Sequence, residues 1–371
     1  ARNVVRTFDV RCRDLYRWHA RRSGVPSNDR STLEGAMSIQ EALRFAVLAC
    51  LSLGIGAACA GPSAADNLPL IAVADVPLGG RTTRMDYASV DTDHHRLYIA
   101  HLGDSAVIVF DTQANRVEAR VGGLADVHGV LAVPELGRVY ATATGSNEVV
   151  AIDAATRKIL ARTPTGRYPD GMAYASQARK LYVSDKSGHS VTVVDVDTNR
   201  VVTTIPLGGE VGNTQYDPVS RHVFSNEQSH GELVEIDPAT DAIVARIKLP
   251  GAAGNHGLLI DPKRRLAFVA CEDNGRLLIV DLSARRVVAT FEVERDPDVL
   301  ALDPAQARIY VASEAGVTSV FQAQEHGVVR LGAGMVGPNA HVVAIDPRTH
   351  RVYFPLKNVD GRTVLRILRP R

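Results

Sequence analysis

Leu181-Tyr182-Val183-Ser184 decides how this chain folds. It is a short run of strand-forming residues with a ring at its centre, and the chain repeats it. The same pattern reads Leu97-Tyr98-Ile99-Ala100, Val139-Tyr140-Ala141-Thr142 and Val223-Phe224-Ser225-Asn226. It returns as Ala267-Phe268-Val269-Ala270, Ile309-Tyr310-Val311-Ala312 and Val352-Tyr353-Phe354-Pro355. Successive aromatics stand 42, 42, 42, 44, 42 and 43 residues apart. Seven copies at one period indicate a repeat architecture.

Around each copy the sequence predicts four short strands, a to d. In the first unit these are Tyr87 to Val90, Arg96 to Ala100, Ala106 to Phe110 and Arg116 to Val121. The a–b turn carries Asp-Pro at 217–218, 261–262, 303–304 and 346–347, with Pro134 in the same column. Proline presets φ and offers no ladder donor, so it ends a strand. The c–d turn carries Asp153, Asp237, Asp111 and Asp281, whose carboxylates suit the turn backbone.

Four antiparallel strands at this period read as propeller blades. The expected fold is therefore all-β, a seven-bladed β-propeller. Leu68 to Val76 resembles a strand d but precedes the first strand a. It is expected to complete the last blade and close the ring without a free seam. Blade six is expected to have a longer c–d hairpin. The two extra residues in the 44-residue interval are expected in the 249–254 connection.

The chain resembles the YncE-like proteins, secreted seven-bladed propellers built from a repeat named for its Tyr-Val-Thr-Asn strand. The motifs that carry the likeness are Leu-Tyr-Val-Ser at 181–184, the turn Asp195-Val-Asp197-Thr-Asn199, and Val-His-Gly-Val at 127–130 with Pro134-Glu-Leu-Gly137. The likeness covers about 67–371. It implies the fold and binding in the periplasm or at the cell surface; one branch of the family is linked to DNA. It implies no catalytic signature. The namesake asparagine survives at Asn226 but gives way to Ala100, Thr142 and Ser184.

The first 65 residues read differently. Residues 45–60 are uncharged and small or apolar, follow Arg44, and end Ala58-Cys59-Ala60. This is the pattern of a secretory leader, with cleavage near Ala60 or Ala65. The expected division is an extension at 1–36, a signal peptide at 37–65 with Met37 as the start of translation, and the propeller at 66–371. The apolar run is short for a membrane span. A periplasmic or extracellular monomer is expected.

The full chain has 42 basic and 41 acidic residues; removing 1–65 leaves 33 against 36, a net −3. A basic–aromatic stripe is also lacking, so nucleic acid is not an expected partner, although a DNA-binding propeller stands as one alternative. Cys271 is the one cysteine beyond residue 65, so no disulfide is expected there.

One column bears on function. The residues at the head of strand a are Asp86, His128, Asp170, Gly212, His256, Asp298 and His341. In a propeller strand a is innermost, so these should circle the mouth of the central channel. A second polar ring is expected from the b–c loops: His101, Asp185, His189, Asn226, His230 and Glu272. Such a mouth suits a small polar ligand or a peptide or protein partner. Imidazole and carboxylate also ligate divalent metals, and His256, Asp298 and His341 form the expected local trio. Reach across the pore is the difficulty. His94, His95, His222 and His350 fall in the opposite turns and are expected to be exposed. The reading is a binding or scaffold protein; the alternative is a metal-assisted lyase or lactone hydrolase using the same mouth.

Overall fold

The computed structural model describes residues 67–325 and 327–371. The extension and leader expected within 1–65 lie outside the described residues. Seven four-stranded antiparallel sheets follow one another around an axis. The strands fall where the repeat puts them. In blade 1 they are Ala88–Asp91, Arg96–His101, Ala106–Asp111 and Arg116–Gly122.

The ring closes with both chain ends in one blade. Leu70–Pro77 pairs antiparallel with Arg362–Pro370, so the seventh sheet has its first-made strand outermost. Leu78 N donates to Thr363 O at 2.9 Å, and Thr363 Oγ1 donates to Gly79 O at 2.7 Å, extending the join past the strand.

The apolar core is divided among the seams. Along strand b of blade 1, Leu97 and Ile99 face the cluster shared with blade 7, while Tyr98 and Ala100 face the cluster shared with blade 2. This is strand alternation: successive side chains point to opposite faces, and here both faces are buried. Seven such clusters fill the seven seams. Cys271 is buried in one of them as a free thiol, and burial pushes it up to about 11.

The turns follow the sequence reading. Asp91 Oδ1 accepts from the backbone N–H of Asp93 and of His94, both at 3.1 Å. Asp217 and Asp303 repeat this and are fully buried. Of the four turn histidines, His94 and His95 are exposed as expected, while the other two are more engaged. His350 Nδ1 meets Asp303 Oδ2 at 2.7 Å, His222 Nδ1 meets Glu235 Oε1 at 2.6 Å, and both rings are half-buried. Blade 6 has the lengthened hairpin, Val317–Gln324 with Gly327–Met335. The two extra residues lie in the connection between Ala242–Lys248 and Asn255–Asp261.

Candidate functional site

A backbone irregularity sits at the head of the inner strand in blades 2 to 6. In blade 3, Pro169 pairs with Asp185 and Met172 with Val183, so Asp170 and Gly171 together face one residue. The same bulge holds His128 with Gly129, Gly212 with Asn213, and Asp298 with Val299. In blade 5 it skips His256 alone. A bulge re-aims a side chain that regular pairing would send into a seam.

Close approach of the next blade completes the arrangement. A Cβ on Gly129 would lie 2.3 Å from the Asp170 carbonyl oxygen, and one on Gly257 would lie 2.0 Å from that of Asp298. Only glycine lets these inner strands pack so tightly.

Asp86, His128, Asp170, His256 and Asp298 line one cavity of about 670 Å³. His341 does not line it. Its ring is buried beside Glu314, with Nδ1 3.7 Å from Glu314 Oε2. The trio His256, Asp298 and His341 is therefore not one cluster. Asp298 instead joins two, His256–Glu272–Asp298 and Asp298–Glu314–His341, each with ligand atoms within 4.8 Å of one another. Both are candidate metal-binding sites.

Reach across the axis proves short. Tyr87 of blade 1 donates to Asn213 Oδ1 of blade 4 at 2.6 Å and lies 3.2 Å from His256 Nε2 of blade 5. His256 Nε2 stands 3.6 Å from Asp170 Oδ2 and 3.7 Å from Asp298 Oδ1. The bulged strand heads lean inward, and one long aromatic side chain spans what remains.

The second ring behaves differently. Of its six members, Glu272 alone lines the cavity. His101 is buried against the preceding loop, with Nε2 3.1 Å from Thr83 Oγ1 and from Arg81 O. Asp185 accepts from Ser190 Oγ at 2.8 Å and Thr192 Oγ1 at 2.7 Å, and burial pushes its carboxyl up to about 6. Asn226 Nδ2 donates to the carbonyls of His256 and Gly257 at 3.0 and 3.1 Å, bracing the inner strand. His189 and His230 are exposed. The reason is register. In blades 1, 2, 3 and 5 the cavity takes the residue four beyond the strand-b aromatic: Leu102, Thr144, Lys186 and Glu272. His101 and Asp185 are one residue earlier, and one step along a strand turns a side chain to the other face.

Arg84, Tyr87, Tyr168, Lys186 and Asn213 also belong to the site and were not singled out in the sequence. Arg84 and Tyr168 stand two residues before the ring column, together with Asp126 and Asn339. That mostly polar column was a usable signal. Tyr168 adopts φ of 60°, a left-handed conformation costly for a bulky residue, at the rim of the cavity. Its hydroxyl lies 3.0 Å from His128 Nε2.

The cavity is acidic with two built-in cations. Arg84 Nε donates to Asp86 Oδ2 at 3.1 Å, its Nη2 lies 3.7 Å from Asp298 Oδ2, and its Nη1 bonds Glu314. Burial would lower the guanidinium, but Asp86, Glu314 and Asp298 outweigh it and raise it. Burial also raises Glu272 and Asp298 above the usual carboxylate range, and each carboxylate nearby adds to the effect. Burial, helped by the Lys186 charge, drops His256 to about 3, so its imidazole is neutral at neutral pH.

No family model matches the chain, and no curated protein matches it in sequence. Among solved structures it is similar to hydrazine synthase of Kuenenia stuttgartiensis, with TM-score 0.66 and 15% identity over 76% of this chain and 94% of that one. It is also similar to the RRP9 WD40 repeats, with TM-score 0.69 and 14% identity over 81% and 100%. A chain of the mitotic checkpoint complex gives TM-score 0.69 and 12% identity over 86% and 98%. At these identities the likeness establishes the propeller fold and nothing about activity. Among the described residues, no helix is long and apolar enough to cross a membrane.

Proposed function

We propose that this protein is an exported binding propeller of the YncE-like kind that captures a small polar ligand in the acidic mouth of its channel. One observation carries the reading. Asp170 Oδ1 and Asp298 Oδ1 are buried polar atoms with no hydrogen-bond partner in the protein, and both residues line the cavity. Buried polar atoms are ordinarily satisfied, so such a pair is what a ligand-binding wall requires. The acidic lining favours a hydroxyl-rich or cationic ligand and disfavours a nucleic-acid phosphate.

A thermal-shift screen of polyols, amines and divalent chlorides tests this, with Asp170→Asn as counter-screen. At least one compound should stabilise the parent protein and not the variant. A screen in which every compound acts equally on both would reject the mouth as the site.

A lyase or lactone hydrolase at the same mouth is the second reading. It is favoured by the neutral His256 imidazole, whose Nε2 stands 3.6 Å from Asp170 Oδ2 and 3.7 Å from Asp298 Oδ1, a pairing suited to proton transfer. Lactone hydrolysis that is lost in His256→Gln would support it; no turnover on a lactone panel would count against it.

A further inference from the structure

We propose that His256, Glu272 and Asp298 bind one divalent transition-metal ion, while the Arg84 side chain fills the adjoining Asp298–Glu314–His341 cluster in place of a second. This deepens the reading of the mouth as a ligand site and rests on it. The two clusters have similar donors and share Asp298. They differ in what already neutralises them. Arg84 contacts both carboxylates of the Glu314 cluster, bonding Glu314 and lying 3.7 Å from Asp298 Oδ2. A tethered guanidinium there supplies the positive charge that an ion would bring.

In the other cluster no described Lys or Arg forms an ion pair with Glu272, and Lys186 acts on it only through space. Lys186, the nearest ammonium on the cavity wall, pairs with Glu210 at 3.7 Å. Asp298 divides its oxygens accordingly. Oδ2 turns to Arg84, and Oδ1 turns to His256 at 3.7 Å and has no hydrogen-bond partner, although the residue is 96% buried. An unpartnered carboxylate oxygen facing an imidazole nitrogen and a second carboxylate asks for a cation between them.

The donor set identifies the ion class. One imidazole and two carboxylates suit first-row divalent ions such as Zn²⁺ or Mn²⁺ at roughly 2.0–2.2 Å. Three protein ligands beside an open cavity leave positions for water or a ligand. The His256 ring is already steered: Nδ1 meets the Gln228 amide at 3.3 Å, leaving Nε2 toward the carboxylates. Tyr87 would release Nε2 and keep its bond to Asn213 at 2.6 Å.

The test is a calorimetric titration of chelator-treated full-length protein with ZnCl₂ or MnCl₂ alone, with elemental analysis of the product. One ion per chain is expected. Glu272→Gln should weaken binding by at least about tenfold, and Glu314→Gln should leave it nearly unchanged. Arg84→Ala should raise the stoichiometry to two. No ion in the parent protein, two ions in it, or equal losses in Glu272→Gln and Glu314→Gln would each overturn the assignment. Should Arg84→Ala fail to fold, the two glutamine variants decide alone. Failure here is separable from failure of the mouth reading, because an organic ligand lost on Asp170→Asn would survive the absence of any metal.

Discussion

Leu78→Ala is the sharpest test of how the ring is held shut. Leu78 lies just beyond the N-terminal strand and is 3% exposed. It packs in the seam between blades 7 and 1 with Met85, Leu97, Phe110, Tyr353 and Leu365. Truncating a buried leucine removes transfer energy and leaves a cavity, together about 2–5 kcal/mol. The seam can relax little, because the backbone beside Leu78 is pinned to Thr363. We expect a loss of about 3 kcal/mol, a large part of a typical total of about 5–15 kcal/mol. Val73→Ala is the control: it lies on the closing strand but is 44% exposed, and its loss should stay within about 0.5 kcal/mol. Urea unfolding followed by circular dichroism measures both. Equal midpoints for the two variants would mean that the N-terminal segment does not seal the ring, and the closure argument would fail. Deleting residues 67–78 should cost more still, since it strips the outer partner from Arg362–Pro370 and opens the seam.

Further expectations concern the site and the leader. Gly257→Ala forces a Cβ to within 2.0 Å of the Asp298 carbonyl, so it should cost about 1–3 kcal/mol in thermal or urea unfolding and weaken binding at the mouth. His256 has a depressed folded-state pKa of about 3, so its stabilising contribution is present above the unfolded value and is lost as pH falls from about 6.5 toward 3. His256→Gln should flatten that part of the stability–pH profile, and an unchanged profile would contradict the burial of a neutral ring. Asp185 runs the other way. Its raised pKa of about 6 means stability is greatest below about pH 4 and declines as pH rises to 6, by about 3 kcal/mol, a slope that Asp185→Asn should remove. If the chain is exported as proposed, it should be found in the periplasmic fraction with its N-terminus just after Ala60 or Ala65; an intact Met37 start would rule out cleavage. Single-stranded DNA should show no salt-dependent binding in a mobility-shift titration, and a steep salt slope would reverse the view of the acidic mouth.

The sequence by itself determined the fold, because the information is local and repeated. A strand-forming run with a central aromatic, a proline-stopped turn and a carboxylate-capped turn recur every 42 or so residues, and each element obeys short-range rules. Closure was also legible, since a lone strand-d pattern before the first blade has one place to go. Much of the mouth could be read too: Asp86, His128, Asp170, His256 and Asp298 share a column and line one cavity. Tertiary structure decided the rest. The bulges that aim His128, Asp170, His256 and Asp298 depend on pairing with the neighbouring strand, and sequence spacing alone does not reveal them. His101 and Asp185 look like mouth residues until strand register turns them inward by a single position. Tyr87 meeting Asn213, 126 residues away, and Arg84 meeting Glu314, 230 residues away, exist because a ring brings first and later blades face to face. A column can be counted along a chain, but which charges neutralise one another across an axis is settled only when the circle is drawn.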